Sequence, residues 1–245
     1  MSNEKGKEIL AQQDGPILRI TINRPDAGNG MTDPMVVELT GLLEAAPKTS
    51  RLVVFRGAGT DFCIGRAAAP PATPNAEALQ RRREFDVVFG CYGMFRRLPI
   101  PVVNVVQGRA LGLGCALAAL SDITIAADSA IFQVPEMGHR ILPGMVMSAL
   151  IDRVPRKALM YLVHSTATVT AERALSFGLV SEVVPAAELE AKVAATVAAI
   201  LKAPAIATEG VKEYVSRAMD MDIHGAVDFA RNLHATINAS SEMKK

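Results

Sequence analysis

The stretch "IPVVNVVQGRALGLGCALAALSD" (100–122) restricts the fold more than any other part of the chain. Its first part, "IPVVNVVQG", is apolar at nearly every position, so alternation cannot give it one wet face and one dry one. A strand of this kind is buried on both faces, as in parallel sheets covered by helices. A glycine-rich turn follows, and then an Ala/Leu-rich run that predicts a helix beginning near Gly114. Bare glycine backbone between a strand and a helix lets N–H groups approach a negative charge.

The surrounding pattern agrees with an α/β chain. "PILRITINRP" (16–25) sets Leu18, Ile20 and Ile22 against Arg19 and Thr21, as a half-buried strand does. Thr32 and Pro34 suit the N-cap and first turn of a helix over 35–46. Strands are expected at 51–57, 122–128 and 130–136, and a polar, Arg-rich helix over 77–97. Helices dominate from 145 onward (145–153, 156–164, 171–177, 188–202, 206–218 and 222–238), with one strand at 179–185. We divide the chain into a core over 1–185 and a helical region over 186–245, and expect a mobile surface loop at Ala67–Asn75.

Composition removes several classes of function. A formal net charge of +1 provides no basic field for nucleic acid. No apolar run reaches the roughly 18 residues of a membrane span, and "MSNEKGKEILAQQDG" is too polar for a signal peptide. Cys63, Cys91 and Cys115 cannot all pair and show no C-x-x-C spacing, so a reducing cytoplasm is expected, with no metal site. The glycines Gly108, Gly112 and Gly114 spell G-x-x-x-G-x-G, a pattern of nicotinamide-dependent dehydrogenases. That fingerprint belongs after the first strand of a nucleotide-binding unit, whereas here it lies past residue 100. Tyr92, Tyr161 and Tyr214 are followed four residues on by Arg96, Ser165 and Ala218, never by lysine.

Four stretches taken together point elsewhere: "DGPILRITINRPDAGNGMT" (14–32), "RGAGTDFCIGR" (56–66), "PIPVVNVVQGRALGLGCALAALSDITIAADSAIFQVPEMG" (99–138) and "TAERALSFGLVSEVVP" (170–185). In residues, order and separation they resemble the crotonase family, the enoyl-CoA hydratases and isomerases. The resemblance covers nearly the whole chain. It implies a spiral of ββα units with a C-terminal helical trimerisation region, assembled as a homotrimer or a dimer of trimers. It also implies an acyl-CoA thioester substrate, coenzyme A entering as part of the substrate with no separate cofactor.

By the same resemblance, an enolate-like oxyanion is held by the backbone N–H groups of Arg66 and Leu113, where losing one such donor costs roughly 10²–10³ in rate. Cys63, Ile64, Gly65, Gly112, Pro135 and Gly144 fall on its substrate-binding segments. Family hydratases use two glutamates; the first position here is Ala116, and the second is Glu136. One carboxylate suffices for a proton shuttle, so double-bond isomerisation is expected, with Glu136 as the shuttle. The alternatives are a hydratase or hydrolytic C–C lyase using Glu136 with His139, and an inactive CoA-ester-binding or assembly protein. Gly144 stands where dienoyl-CoA isomerases and 4-chlorobenzoyl-CoA dehalogenases carry aspartate, which disfavours both activities.

Other residues admit bland readings beside functional ones. His139 could position water or be an ordinary loop histidine, and Arg140 could clamp a carboxylate or form a surface or interface ion pair. Arg81, Arg82 and Arg83 could approach CoA phosphates, though such a run is more commonly a solvated helix face. Cys63 and Cys115 read as small core fillers, and Asn104 as a buried amide satisfied by backbone. Ala67 stands where the family often has aspartate, and the chain ends at "SSEMKK", where relatives commonly continue into a further helix that can contact CoA or a neighbour.

Overall fold

A computed structural model describes residues 6–67 and 76–244; the loop expected at Ala67–Asn75 lies outside them except for Ala67. The elements in chain order are β1 (Ile9–Asp14), β2 (Ile17–Ile22), α1 (Asp33–Ala45), β3 (Leu52–Gly57), α2 (Ala78–Arg83), α3 (Asp86–Arg97), β4 (Val102–Val106), β5 (Arg109–Leu111) and α4 (Leu113–Leu120). Next come β6 (Ile123–Ala127), β7 (Ile131–Gln133), α5 (Gly144–Leu150), α6 (Arg156–Ser165), β8 (Val169–Thr170) and α7 (Ala171–Ser176). The chain closes with β9 (Glu182–Val184), α8 (Leu189–Lys202), α9 (Ala205–Ala218) and α10 (Ile223–Ala239).

Two sheets are present among the described residues. The larger has the order β1-β2-β3-β4-β6-β9, parallel except for the β1–β2 hairpin, and the smaller is β5-β7-β8. The chain repeats one path between them: a strand in the large sheet, a sharp turn, a short strand in the small sheet, then a helix. β4, β5 and α4 make one such ββα unit, and β6, β7 and α5 the next. The unit starting at β3 contributes to the small sheet through Cys63, which forms a parallel bridge with Ala110.

β3 and β4 bury both faces, as the apolar run predicts. Val53, Phe55, Val102 and Val106 join the main core with α1, α3 and α4. Leu52, Val54, Val103 and Val105 face the other way, against Leu189, Val193 and Val197 of α8. Each of those three α8 side chains contributes about 1.5–3 kcal/mol by leaving water.

The differences from expectation have physical reasons. β1 shows four exposed positions out of six, so no apolar period marks it; pairing with β2 makes it a strand. The helix expected over 77–97 divides at Glu84 and Phe85, because α2 buries nothing while α3 buries Val88, Cys91, Tyr92, Met94 and Phe95. β5 and β8 are too short to carry a period. Asn104 is a correction: it is wholly buried, but neither side-chain polar atom has a partner among the described residues. Its neighbours' backbone groups are committed to the ladders with β3 and β6, which leaves none for a side chain.

The close approach of α4 to the Cys63 segment sets the sign of one substitution. Glycine inside a helix normally costs about 0.5–1 kcal/mol relative to alanine, so Gly114→Ala would stabilise an isolated helix. Here the added Cβ would lie 2.1 Å from the Cys63 carbonyl oxygen. We expect Gly114→Ala to destabilise by about 1–3 kcal/mol, read as a lower urea midpoint. A raised midpoint would mean that the two segments are not held at this distance.

Candidate active site

The three ββα units deliver three segments to one place. Ile64, Gly65 and Arg66 follow Cys63, Gly112 and Leu113 follow β5, and Pro135 and Glu136 lie just beyond β7. All seven line one cavity of about 540 Å³. Ala67, Phe85, Tyr92, His139, Ile141, Met145 and Val146 are the other described residues on its wall, which is mostly apolar.

Hydrogen bonds between the short strands set this convergence. Cys63 donates its N–H to Arg109 O at 3.0 Å, Leu111 to Cys63 O at 2.9 Å, and Gly112 to Gln133 O at 2.9 Å. Asp61 ties the first unit to the second: its carboxylate accepts from the Arg109 guanidinium at 2.9 and 2.7 Å and from the Arg109 backbone N–H at 3.0 Å. The Arg109 hydrogen bonds hold the Asp61 carboxyl below its ordinary value against the opposing effect of burial.

The backbone N–H groups of Arg66 and Leu113 have no hydrogen-bond partner among the described residues, as is also true of Gly65, Met145 and Val146 on the same wall. The Arg66 side chain is drawn away by Asp33, which accepts at 2.8 and 2.7 Å at the start of α1. Leu113 is the first residue of α4, where the helix presents unsatisfied N–H groups and the positive end of its dipole. The residue between the glycines is therefore a helical leucine, and the unusual backbone falls on Gly112, at φ 50° and ψ −113°. Gly112 must also lack a side chain for a second reason: a Cβ there would lie 2.7 Å from Glu136 Oε1.

Glu136 is the one carboxylate on the wall among the described residues. Burial raises its carboxyl above the ordinary value, opposed by its own backbone N–H and the nearby His139 imidazole. Its Oε2 is buried without a partner among the described residues. Ala116 is fully buried in α4 and does not reach the cavity.

Of the residues singled out from sequence, Cys63 is buried behind the first segment, and Gly144 opens α5 one residue before the wall-forming Met145. Burial pushes the Cys63 and Cys115 thiols up to about 12, as expected of core fillers. His139 is exposed at the cavity mouth, at the end of a short helical turn that Glu136 begins. Arg140 forms no ion pair within the described residues. Arg82 and Arg83 are exposed on α2, and Arg81 lies 3.9 Å from Glu84. The sequence reading missed Tyr92 and Phe85. The i, i+3, i+4, i+7 spacing of Val88, Cys91, Tyr92 and Phe95 marks that face of α3 as buried but not as cavity wall.

The raised Glu136 carboxyl carries a stability consequence. The folded chain binds this proton more tightly than the unfolded chain does, so stability from this group falls as pH rises from the ordinary carboxylate value through the folded one. Glu136→Gln is expected to be more stable than wild type at about pH 7, with the gap closing toward about pH 4. Denaturant midpoints at both pH values measure it; equal midpoints at neutral pH would mean that Glu136 is solvated.

The sequence pattern of the enoyl-CoA hydratase/isomerase family matches residues 12–245. A protein of Mycobacterium tuberculosis named as a probable enoyl-CoA hydratase is 32% identical over 242 residues, covering 97% of this chain and 92% of that protein. The crystal structure of an enoyl-CoA hydratase from Mycobacterium smegmatis superposes with a TM-score of 0.90 at 26% identity, over 96% of this chain and 92% of the other. A protein of Thermobifida fusca solved in complex with acetoacetyl-CoA superposes with a TM-score of 0.83 at 28% identity, over 95% of each chain. With the expected ββα path and segment order both present, the chain belongs to the enoyl-CoA hydratase/isomerase, or crotonase, family.

Proposed function

We propose that this member of the family moves a double bond along the acyl chain of a CoA thioester, with Glu136 as its single proton carrier. The observation that carries this reading is the lone carboxylate on the cavity wall, together with Ala116 buried where a second glutamate would stand. Glu136 takes a proton from C2 of a 3-enoyl thioester, and the electron pair delocalises onto the thioester oxygen. The N–H groups of Arg66 and Leu113 hold that oxygen, aided by the α4 dipole. Glu136 then returns the proton at C4, leaving the 2-enoyl thioester. Proton and electrons balance within the substrate, so the reaction calls for no further cofactor.

Burial suits Glu136 to this work, because a carboxylate in an apolar wall is a stronger base than one in water. The free Cys63, Cys91 and Cys115 fit a reducing compartment such as the cytoplasm. Exposed Val211 and Val215 on α9, Met219 just beyond it, and Ile223 and Val227 on α10 support a homotrimer or dimer of trimers. Hydration is a second reading, favoured by the hydratase names of relatives and by His139 at the mouth.

Mixing the protein with a 3-enoyl-CoA is expected to raise the absorbance of the conjugated thioester. Glu136→Gln should slow that rise roughly 10²–10⁴-fold. Gly112→Ala, whose Cβ would displace Glu136 Oε1, should slow it about 10-fold or more. A flat trace with wild type, accompanied by ¹⁸O uptake from labelled water into a 2-enoyl-CoA, would replace isomerisation with hydration. Tight binding of the thioester without either change would leave the chain a binding protein.

A further inference from the structure

Two oxygens at this cavity are buried without a hydrogen-bond partner among the described residues: the Tyr92 hydroxyl and Glu136 Oε2. Tyr92 is 2% exposed, on the buried face of α3, and lines the cavity with the three loop segments. A buried tyrosine hydroxyl usually finds a partner, because leaving it dry forfeits its hydrogen bond to water. Ile64, Phe85, Leu113, Ile141, Met145 and Val146 line the same cavity with side chains that offer neither donor nor acceptor. A ligand group that satisfies both oxygens would meet few competing side chains on that wall.

The chemistry of the two groups restricts that ligand. Burial holds the Tyr92 phenol well above its ordinary value, and the negative charges of neighbouring groups, Glu136 among them, reinforce this. The phenol therefore stays protonated and donates, while the Glu136 carboxylate accepts. One group that meets both is an uncharged oxygen carrying a hydrogen; a second carboxylate would be repelled by Glu136. If Glu136 serves C2 and C4 of the acyl chain, as proposed above, it lies over C3, and the oxygen belongs at that carbon.

We propose that Tyr92 is a specificity-determining residue that holds an uncharged O–H oxygen against Glu136 Oε2, supplied either by the 3-hydroxyl of an acyl thioester or by a water molecule. The placement at C3 rests on the assignment of Glu136 as the proton carrier. If the oxygen comes from water, one of its protons passes to Glu136, the oxygen bonds to C3, and Glu136 delivers the proton to C2. Tyr92 only donates a hydrogen bond throughout and transfers nothing.

Tyr92→Phe removes the hydroxyl and keeps the ring, and since that hydroxyl has no partner among the described residues the variant should melt no lower than wild type. Calorimetric titration with butyryl-CoA and 3-hydroxybutyryl-CoA forms one arm. Wild type should favour the hydroxylated ligand on the order of 10-fold, and Tyr92→Phe should lose that preference while binding butyryl-CoA within about 2-fold of wild type. Uptake of ¹⁸O from labelled water into crotonyl-CoA forms the other, where Tyr92→Phe should be on the order of 10-fold slower. Loss confined to the first arm names the substrate hydroxyl, loss confined to the second names water, and loss in both supports a shared position. No dependence on Tyr92 in either arm, or equal weakening of both ligands in the first with no change in the second, overturns the proposal. Neither arm reads movement of the double bond, so a failure of isomerisation is distinguishable. Glu136→Gln alongside shows whether the preference needs the carboxylate: a preference that survives it but not Tyr92→Phe upholds Tyr92 while removing the assignment to C3.

Discussion

The structure depends on the register of a few backbone hydrogen bonds in the small sheet. Cys63 pairs with Ala110, and Arg109–Leu111 pair with Ile131–Gln133, all in parallel. In a parallel ladder the segments that leave neighbouring strands emerge on the same side. The residues following Cys63, Leu111 and Gln133 therefore converge, although they lie far apart in sequence. A slip of one residue would turn each side chain to the opposite face and carry Glu136 off the cavity wall.

Electrostatic ties reinforce this register without adding charge to the cavity. The Asp61–Arg109 pair lies at the turn end of the ladder and the Asp33–Arg66 pair beside the first loop, so each cation is engaged by a carboxylate. Among the described residues the cavity is left with one carboxylate, the unpartnered N–H groups of Arg66 and Leu113, and the helix dipole of α4. Such an arrangement favours negative charge appearing near the N–H groups and a proton residing on Glu136. Bringing substrate in excludes further water and strengthens both effects, because charge interactions grow as the local dielectric falls.

Much of the fold was legible because burial leaves a period. The apolar run at 100–108 announced a strand covered on both sides, and α8 on one face and the main core on the other are that cover. Thr32, read as the N-cap, does precede α1, which begins at Asp33, two residues before the expected 35. Where burial leaves no period the reading failed: β1 has mostly exposed side chains, and β5 and β8 are held by ladder pairing alone. Asn104 misled for a related reason, since its residue type shows a need for partners but not that the ladders have already taken them.

The sequence by itself determined the family, the order of the three loop segments and the identity of the groups they carry. Short-range chemistry suffices for that: Gly112 permits a backbone that other residues resist, and Glu136 is retained where Ala116 is not. Only the tertiary structure decided which of these groups share a cavity and what surrounds them. Tyr92 joins the site because α3 crosses over it, Glu136 is a raised carboxyl because apolar neighbours from several units bury it, and Gly114 tolerates no methyl group because Cys63 lies against it. Burial and close contact are properties of pairs of distant segments, so no single stretch of sequence records them.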